Sequence, residues 1–97
     1  MADVRIQYFG TIRLAAQRIE DEAALAGDAT VFRLLLQLAD AYGEGFRGEV
    51  LAESGGMLRD DLMVTVNGTI INHAAAGEIV LRPGDIVALF PTFPGGG

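Results

Sequence analysis

The chain has 97 residues, half of them hydrophobic, so it makes one domain with a single core and is not a disordered polymer. It carries 7 arginines against 13 acidic residues, a net charge of −6, which argues against a nucleic-acid backbone as partner and suits a basic protein surface. Cysteine and lysine are absent, which excludes disulfides, thiolate metal sites and Schiff-base chemistry; no apolar run reaches membrane-spanning length and no signal region opens the chain, so the expectation is a cytoplasmic protein without a membrane partner.

In chain order, Val4-Arg5-Ile6-Gln7-Tyr8 alternates apolar and polar as a half-buried strand does, and Gly10 ends the run. Thr11-Ile12-Arg13-Leu14-Ala15-Ala16 reads as a short helical turn. Residues 18–25, with Glu20, Asp21 and Glu22, read as an edge strand, where charges discourage unwanted pairing. Thr30 is placed to cap a helix in which Val31, Leu34, Leu35, Leu38 and Tyr42 recur at three- and four-residue spacing, with Gly43 closing it. Residues 44–61 read as irregular, with a short helix over 46–53. Leu62-Met63-Val64-Thr65-Val66 is a strand that turns at Asn67-Gly68, the favoured hairpin dipeptide, and returns through Ile70 and Ile71. Arg82-Pro83-Gly84-Asp85 has the residues of a type II turn and leads into the hydrophobic strand 86–90. One helix across one face of a mixed sheet buries these faces economically, which predicts an α+β fold of β-grasp type.

The chain finishes Phe90-Pro91-Thr92-Phe93-Pro94-Gly95-Gly96-Gly97. Three glycines have nothing to pack and are costly to order. They suit the threading of a main-chain carboxylate through a narrow channel into another protein's active site, and from Pro91 to Gly97 they span roughly 23–25 Å when extended. The division expected is therefore a β-grasp domain over 1–91 and a flexible tail over 92–97.

Tyr8-Phe9-Gly10-Thr11-Ile12-Arg13, Val64-Thr65-Val66-Asn67-Gly68 and the run from Leu81 through Pro91 together resemble the ubiquitin-like sulfur carriers of the MoaD/ThiS group, nearer to the small subunit of molybdopterin synthase. The resemblance implies a carrier with no bound cofactor and no catalytic groups of its own. An adenylyltransferase of the ubiquitin-activating kind would use ATP to adenylate the terminal glycine. A sulfur donor protein would then convert it to a thiocarboxylate, and the large catalytic subunit of molybdopterin synthase would receive the tail. Gly97 would be the reactive residue and Gly96 its neighbour, with trimming to Gly96 left open. The family often has Phe-Pro-Pro-Val before a small residue and Gly-Gly; here Thr92, Phe93 and Pro94 fill that exit, so Phe93, Pro94 and Gly95 are expected to touch the partner. Phe9, Leu89 and Phe93 are candidates for an apolar patch on the sheet face away from the helix. The alternatives are a ubiquitin-like modifier joined to lysines through Gly97, a carrier for thiamine, tRNA thiolation or cysteine synthesis, and a binding module with an inert tail.

Other motifs carry less. Gly43-Glu44-Gly45-Phe46-Arg47-Gly48 matches GxGxxG but follows a helix where a dinucleotide site needs a strand. Ser54 and His73 are the sole serine and histidine, and neither has the surroundings of a nucleophile and base; His73 reads as a hairpin or surface residue. The acidic groups at 20–22 and 60–61 lack a histidine or third carboxylate at ligand spacing, so no metal is expected and a solvated face is the better reading.

Overall fold

The structure, a computed structural model, describes residues 2–25, 29–52 and 58–91. Its elements run β1 (Ala2–Tyr8), α1 (Gly10–Ala16), β2 (Glu20–Leu25), α2 (Val31–Tyr42), α3 (Glu44–Val50), β3 (Leu62–Val66), β4 (Thr69–Ile70), a 3₁₀ turn (His73–Ala75) and β5 (Ile86–Pro91). The strands form one mixed sheet in the order β2-β1-β5-β3-β4. The last strand in sequence thus lies at the centre, parallel to β1 and antiparallel to β3.

Strand alternation sorts the side chains into two faces. Val4, Ile6 and Tyr8 of β1, Val87 and Leu89 of β5, and Leu62 and Val64 of β3 are buried on one face. Across that face lies α2, with Val31, Leu34, Leu35, Leu38 and Ala39 buried along one stripe. This helix begins where the sequence places its cap: the Thr30 hydroxyl accepts from the Arg33 amide at 3.2 Å. It ends at Gly43, whose φ of +92° reverses the chain.

The two β-turns follow from their residues. Asn67 and Gly68 both have positive φ, +53° and +86°, as a two-residue hairpin matched to strand twist requires. Gly84 has φ +89°, and the Asp85 amide donates to the Arg82 carbonyl at 3.1 Å, which closes the expected type II turn. Asn67 also clips the hairpin to the start of β5: its Oδ1 accepts from the Ile86 amide at 2.9 Å and its Nδ2 donates to Asp85 at 3.0 Å.

The connection after α2 is more ordered than its composition suggests. A helix expected over 46–53 instead spans Glu44–Val50. Gly43 breaks the chain immediately before it, the acidic Glu44 suits a helix start, and Phe46 and Val50, one turn apart, both enter the core. The helix stops because Leu51 is extended and bridges to Leu58.

Candidate functional site

The strand that precedes the tail is held on both sides. Arg5, Ile6, Gln7 and Tyr8 pair with residues 86–89 on one side, and Leu62 through Val66 pair with Pro91 back to Val87 on the other. The Phe9 amide donates to the Leu89 carbonyl at 3.1 Å, extending the ladder one residue past β1. Phe90 is outside the core by alternation, and its ring stacks on that of Phe9 with centroids 4.3 Å apart and planes 9° apart. The Arg13 guanidinium lies over the Phe9 ring at 5.6 Å, while its Nε donates to the Tyr8 carbonyl at 3.1 Å. Pro91 is paired with Leu62 and packs beside Gly10, which begins α1 with φ +58°.

Around this exit the open face of the sheet carries apolar and uncharged polar side chains at its centre. Gln7, Ala88, Thr65 and Ile70 form one cross-strand row, and Met63 and Phe90 another. Ile70 is 66% and Ile86 40% exposed. Toward β2 the same face becomes charged, where Arg5 pairs with Glu20 at 3.7 Å and Glu22 at 3.8 Å. Pairs this exposed contribute little to stability.

Phe9 is half-buried at the exit, stacked on the outward-facing Phe90. Leu89 is a correction: it is fully buried, because the alternation that turns Phe90 outward turns Leu89 into the core. Phe93, Pro94, Gly95, Gly96 and Gly97 lie outside the described residues, as does the tail side of the 91/92 boundary. Met63, Ile70, Ile86 and Phe90 were not singled out as partner residues. Their signal is strand alternation: Met63, Ile86 and Phe90 each sit one step from a core residue, and Ile70 pairs with Thr65 in the same outward row as Ala88.

Asp21 belongs to a different arrangement from its acidic neighbours. Its carboxylate accepts from the Tyr8 hydroxyl, at a long 3.4 Å, and from the Tyr42 hydroxyl, and it pairs with Arg18 at 3.4 Å. Burial opposes its charge, but the bonds from Tyr42 and the Glu22 amide, with Arg18 and Tyr8, outweigh that and hold its pKa below the usual carboxylate value. Burial, with the neighbouring Tyr42 and Asp21, pushes the Tyr8 hydroxyl well above the ordinary tyrosine range. This cluster ties edge strand β2 to α2 and has a structural role.

The remaining motifs are absorbed by the fold. Gly43 is both the end of α2 and the start of α3, so the GxGxxG match never follows a strand. His73 is half-buried and bonded through Nε2 to the Leu62 carbonyl, which makes it a brace between the 3₁₀ turn and β3; Ser54 lies outside the described residues. Asp61 receives two bonds from Arg59, at 2.8 and 2.7 Å. Among the described residues no group of three potential ligands could hold a metal ion, and no helix is long and apolar enough to cross a membrane.

This geometry has close counterparts. Small archaeal modifier protein 1 from Haloferax volcanii superposes with a TM-score of 0.83 at 27% identity, over 98% of this chain and 100% of that one. The corresponding protein from Methanosarcina acetivorans gives 0.76 at 28% identity, over 99% and 98%. A putative molybdopterin converting factor, subunit 1, from Pyrococcus furiosus gives 0.73 at 27% identity, over 96% and 100%. A comparison with curated protein sequences gives no match. The ThiS family model matches residues 6–96, from within β1 to the second glycine of the terminal run. The match takes in all five strands of the sheet, β1 from Ile6 onward, and the chain belongs to the ThiS family of ubiquitin-like sulfur carriers.

Proposed function

We propose that the chain carries sulfur as a thiocarboxylate on Gly97. The observation that supports this reading is the placement of β5: the strand leading to the glycine run is locked between β1 and β3, so a partner that grips the sheet also fixes the origin of the tail. In the first step a Gly97 carboxylate oxygen attacks the α-phosphorus of ATP and pyrophosphate leaves, giving an acyl adenylate. Hydrosulfide, delivered by a sulfur donor, then attacks the glycyl carbonyl carbon. AMP leaves with its bonding electron pair, and loss of the sulfur-borne proton gives the thiocarboxylate. A glycyl carbonyl has no side chain to hinder either attack. Nucleotide binding and proton transfer are assigned to the partner; among the described residues no group of three potential ligands could hold a metal ion.

The partner engages the open face, where Phe9, Phe90, Met63 and Ile70 present apolar surface around the exit and the acidic β2 side steers a basic counterpart. Phe93, Pro94 and Gly95 then line the threaded segment. Molybdopterin assembly is the pathway we favour, with the large catalytic subunit of molybdopterin synthase as acceptor. The likeness to a putative molybdopterin converting factor subunit supports it. The likeness to small archaeal modifier proteins favours a second use, attachment of Gly97 to lysines of other proteins. Having no lysine, the chain offers no side-chain amine for a further copy to join.

Intact mass after incubation with ATP, an adenylating partner and sulfide tests the reading. Replacement of one oxygen by sulfur, mapped to the C-terminal peptide, is expected. An unchanged mass, with the same partner active on another carrier, overturns it. Lysine-linked conjugates of higher mass would identify the second use.

A further inference from the structure

Among the described glycines, Gly10 alone has neighbouring atoms within 4 Å of the place a Cβ would take. A Cβ placed on Gly10 would lie 2.5 Å from Pro91 Cγ and 3.1 Å from Cδ. At 2.5 Å two carbons overlap, so a side chain at position 10 and the Pro91 ring cannot both keep their places. The proline ring is rigid and cannot swing aside as a long side chain would. The last described residue is thus set from three sides. Pro91 pairs with Leu62, Phe90 immediately before it is stacked on Phe9, and its own ring occupies the space left by the absent side chain of Gly10.

We propose that Gly10 is a positioning residue for the reactive terminus: its bare Cα is the seat of Pro91, and that seat sets the direction in which residues 92–97 leave the sheet. The inference rests on the thiocarboxylate reading above, since only a terminus that must reach a distant reaction centre makes exit direction matter. Gly10 itself touches neither nucleotide nor sulfur. It acts through Pro91, six residues upstream of Gly97, where a small change of angle becomes a large displacement at the end of an extended segment. A side chain at position 10 pushes Pro91 outward and mis-aims the tail while leaving the Phe9 and Phe90 docking surface in place.

The test combines Gly10→Ala, Pro91→Ala and the double variant in ATP-dependent pyrophosphate release with an adenylating partner competent toward the wild-type chain. Gly10→Ala is expected to lower kcat by roughly tenfold or more, the scale of misplaced reacting groups, with KM for the carrier unchanged. Pro91→Ala removes the Cγ and Cδ atoms that a new Cβ would meet, so the double variant regains most of the lost kcat. A merely structural role for Gly10 gives a different pattern: Pro91→Ala does not rescue, and kcat follows the folded fraction. Failure of rescue, or full kcat in Gly10→Ala, overturns the proposal. Gly10→Asn brings the same Cβ on a residue that tolerates positive φ, and replaces Gly10→Ala if that variant does not fold. A partner-free readout separates this proposal from the function it rests on. In the wild-type protein a nuclear Overhauser effect between the Gly10 α-protons and the Pro91 ring is expected. Its absence refutes the seat even if thiocarboxylate forms, and its presence beside a chain that is never adenylated refutes the carrier reading alone.

Discussion

The rings of Phe9 and Phe90 lie nearly parallel with centroids 4.3 Å apart, and they join the residue that follows β1 to the outward side of the central strand. Stacked aromatic pairs couple by about 0.5–1.5 kcal/mol beyond the area they bury. A double-mutant cycle of Phe9→Ala and Phe90→Ala, read by urea unfolding, is expected to give a coupling in that range. A coupling of zero would show that the rings stack without stabilising the exit.

Asp21 predicts how stability depends on pH. Its folded pKa is depressed, so its stabilising contribution is complete above the unfolded value of about 3.9 and is lost as pH falls through the folded value. Near neutrality Asp21→Asn should cost about 1.5–3 kcal/mol, the range for hydrogen bonds to a charged group. The gap between variant and wild type should then narrow as pH drops below about 4. Tyr8 acts at the other end. Its folded pKa is raised, so its contribution is present below the unfolded value of about 10 and stability declines as pH rises beyond that value. Chemical denaturation across pH, with and without Tyr8→Phe, checks both limbs.

Phe46 is fully buried and meets Tyr8 edge-on at 5.8 Å and Tyr42 at 5.5 Å. Phe46→Ala removes an aromatic ring from a closed core and is expected to cost about 3–5 kcal/mol by thermal or urea unfolding. Phe46→Leu should recover a substantial part of that loss.

Deleting Gly96 and Gly97 shortens the reach of the tail by roughly 7 Å. Stability should stay within about 0.5 kcal/mol of wild type, because the deletion removes none of the described core residues. Adenylation by a partner active on the full chain should disappear. Retained adenylation would move the reactive group off Gly97.

The fold was legible where periodicity and turn chemistry agreed. Thr30, the leucine stripe of α2, Asn67-Gly68 and Pro83-Gly84 each state a local rule, and each is obeyed in the structure. Edge strand β2 was also found, through its charges. What eluded sequence reading depends on contacts distant in the chain. Leu89 and Phe90 are both apolar and adjacent, and only the sheet's orientation under α2 decides which is core. Asp21 looks like its acidic neighbours until Tyr42, 21 residues later, closes over it. The start of α3 was missed because its buried Phe46 and Val50 are too few to show a helical period. Of the candidate site, the domain side of the exit could be read from Phe9 and the strand before Pro91, whereas the seat at Gly10 depends on two residues 81 positions apart.

The central position of β5 also constrains how the protein is made. β1 and β2 can pair early, as can β3 and β4, but the two hairpins meet only through a strand synthesised after all the others. The sheet therefore cannot close on a nascent chain that stops short of Pro91. A chain that stops between β4 and β5 leaves two unjoined pairs of strands. Every folded molecule has thus been translated through β5, the strand that immediately precedes residues 92–97.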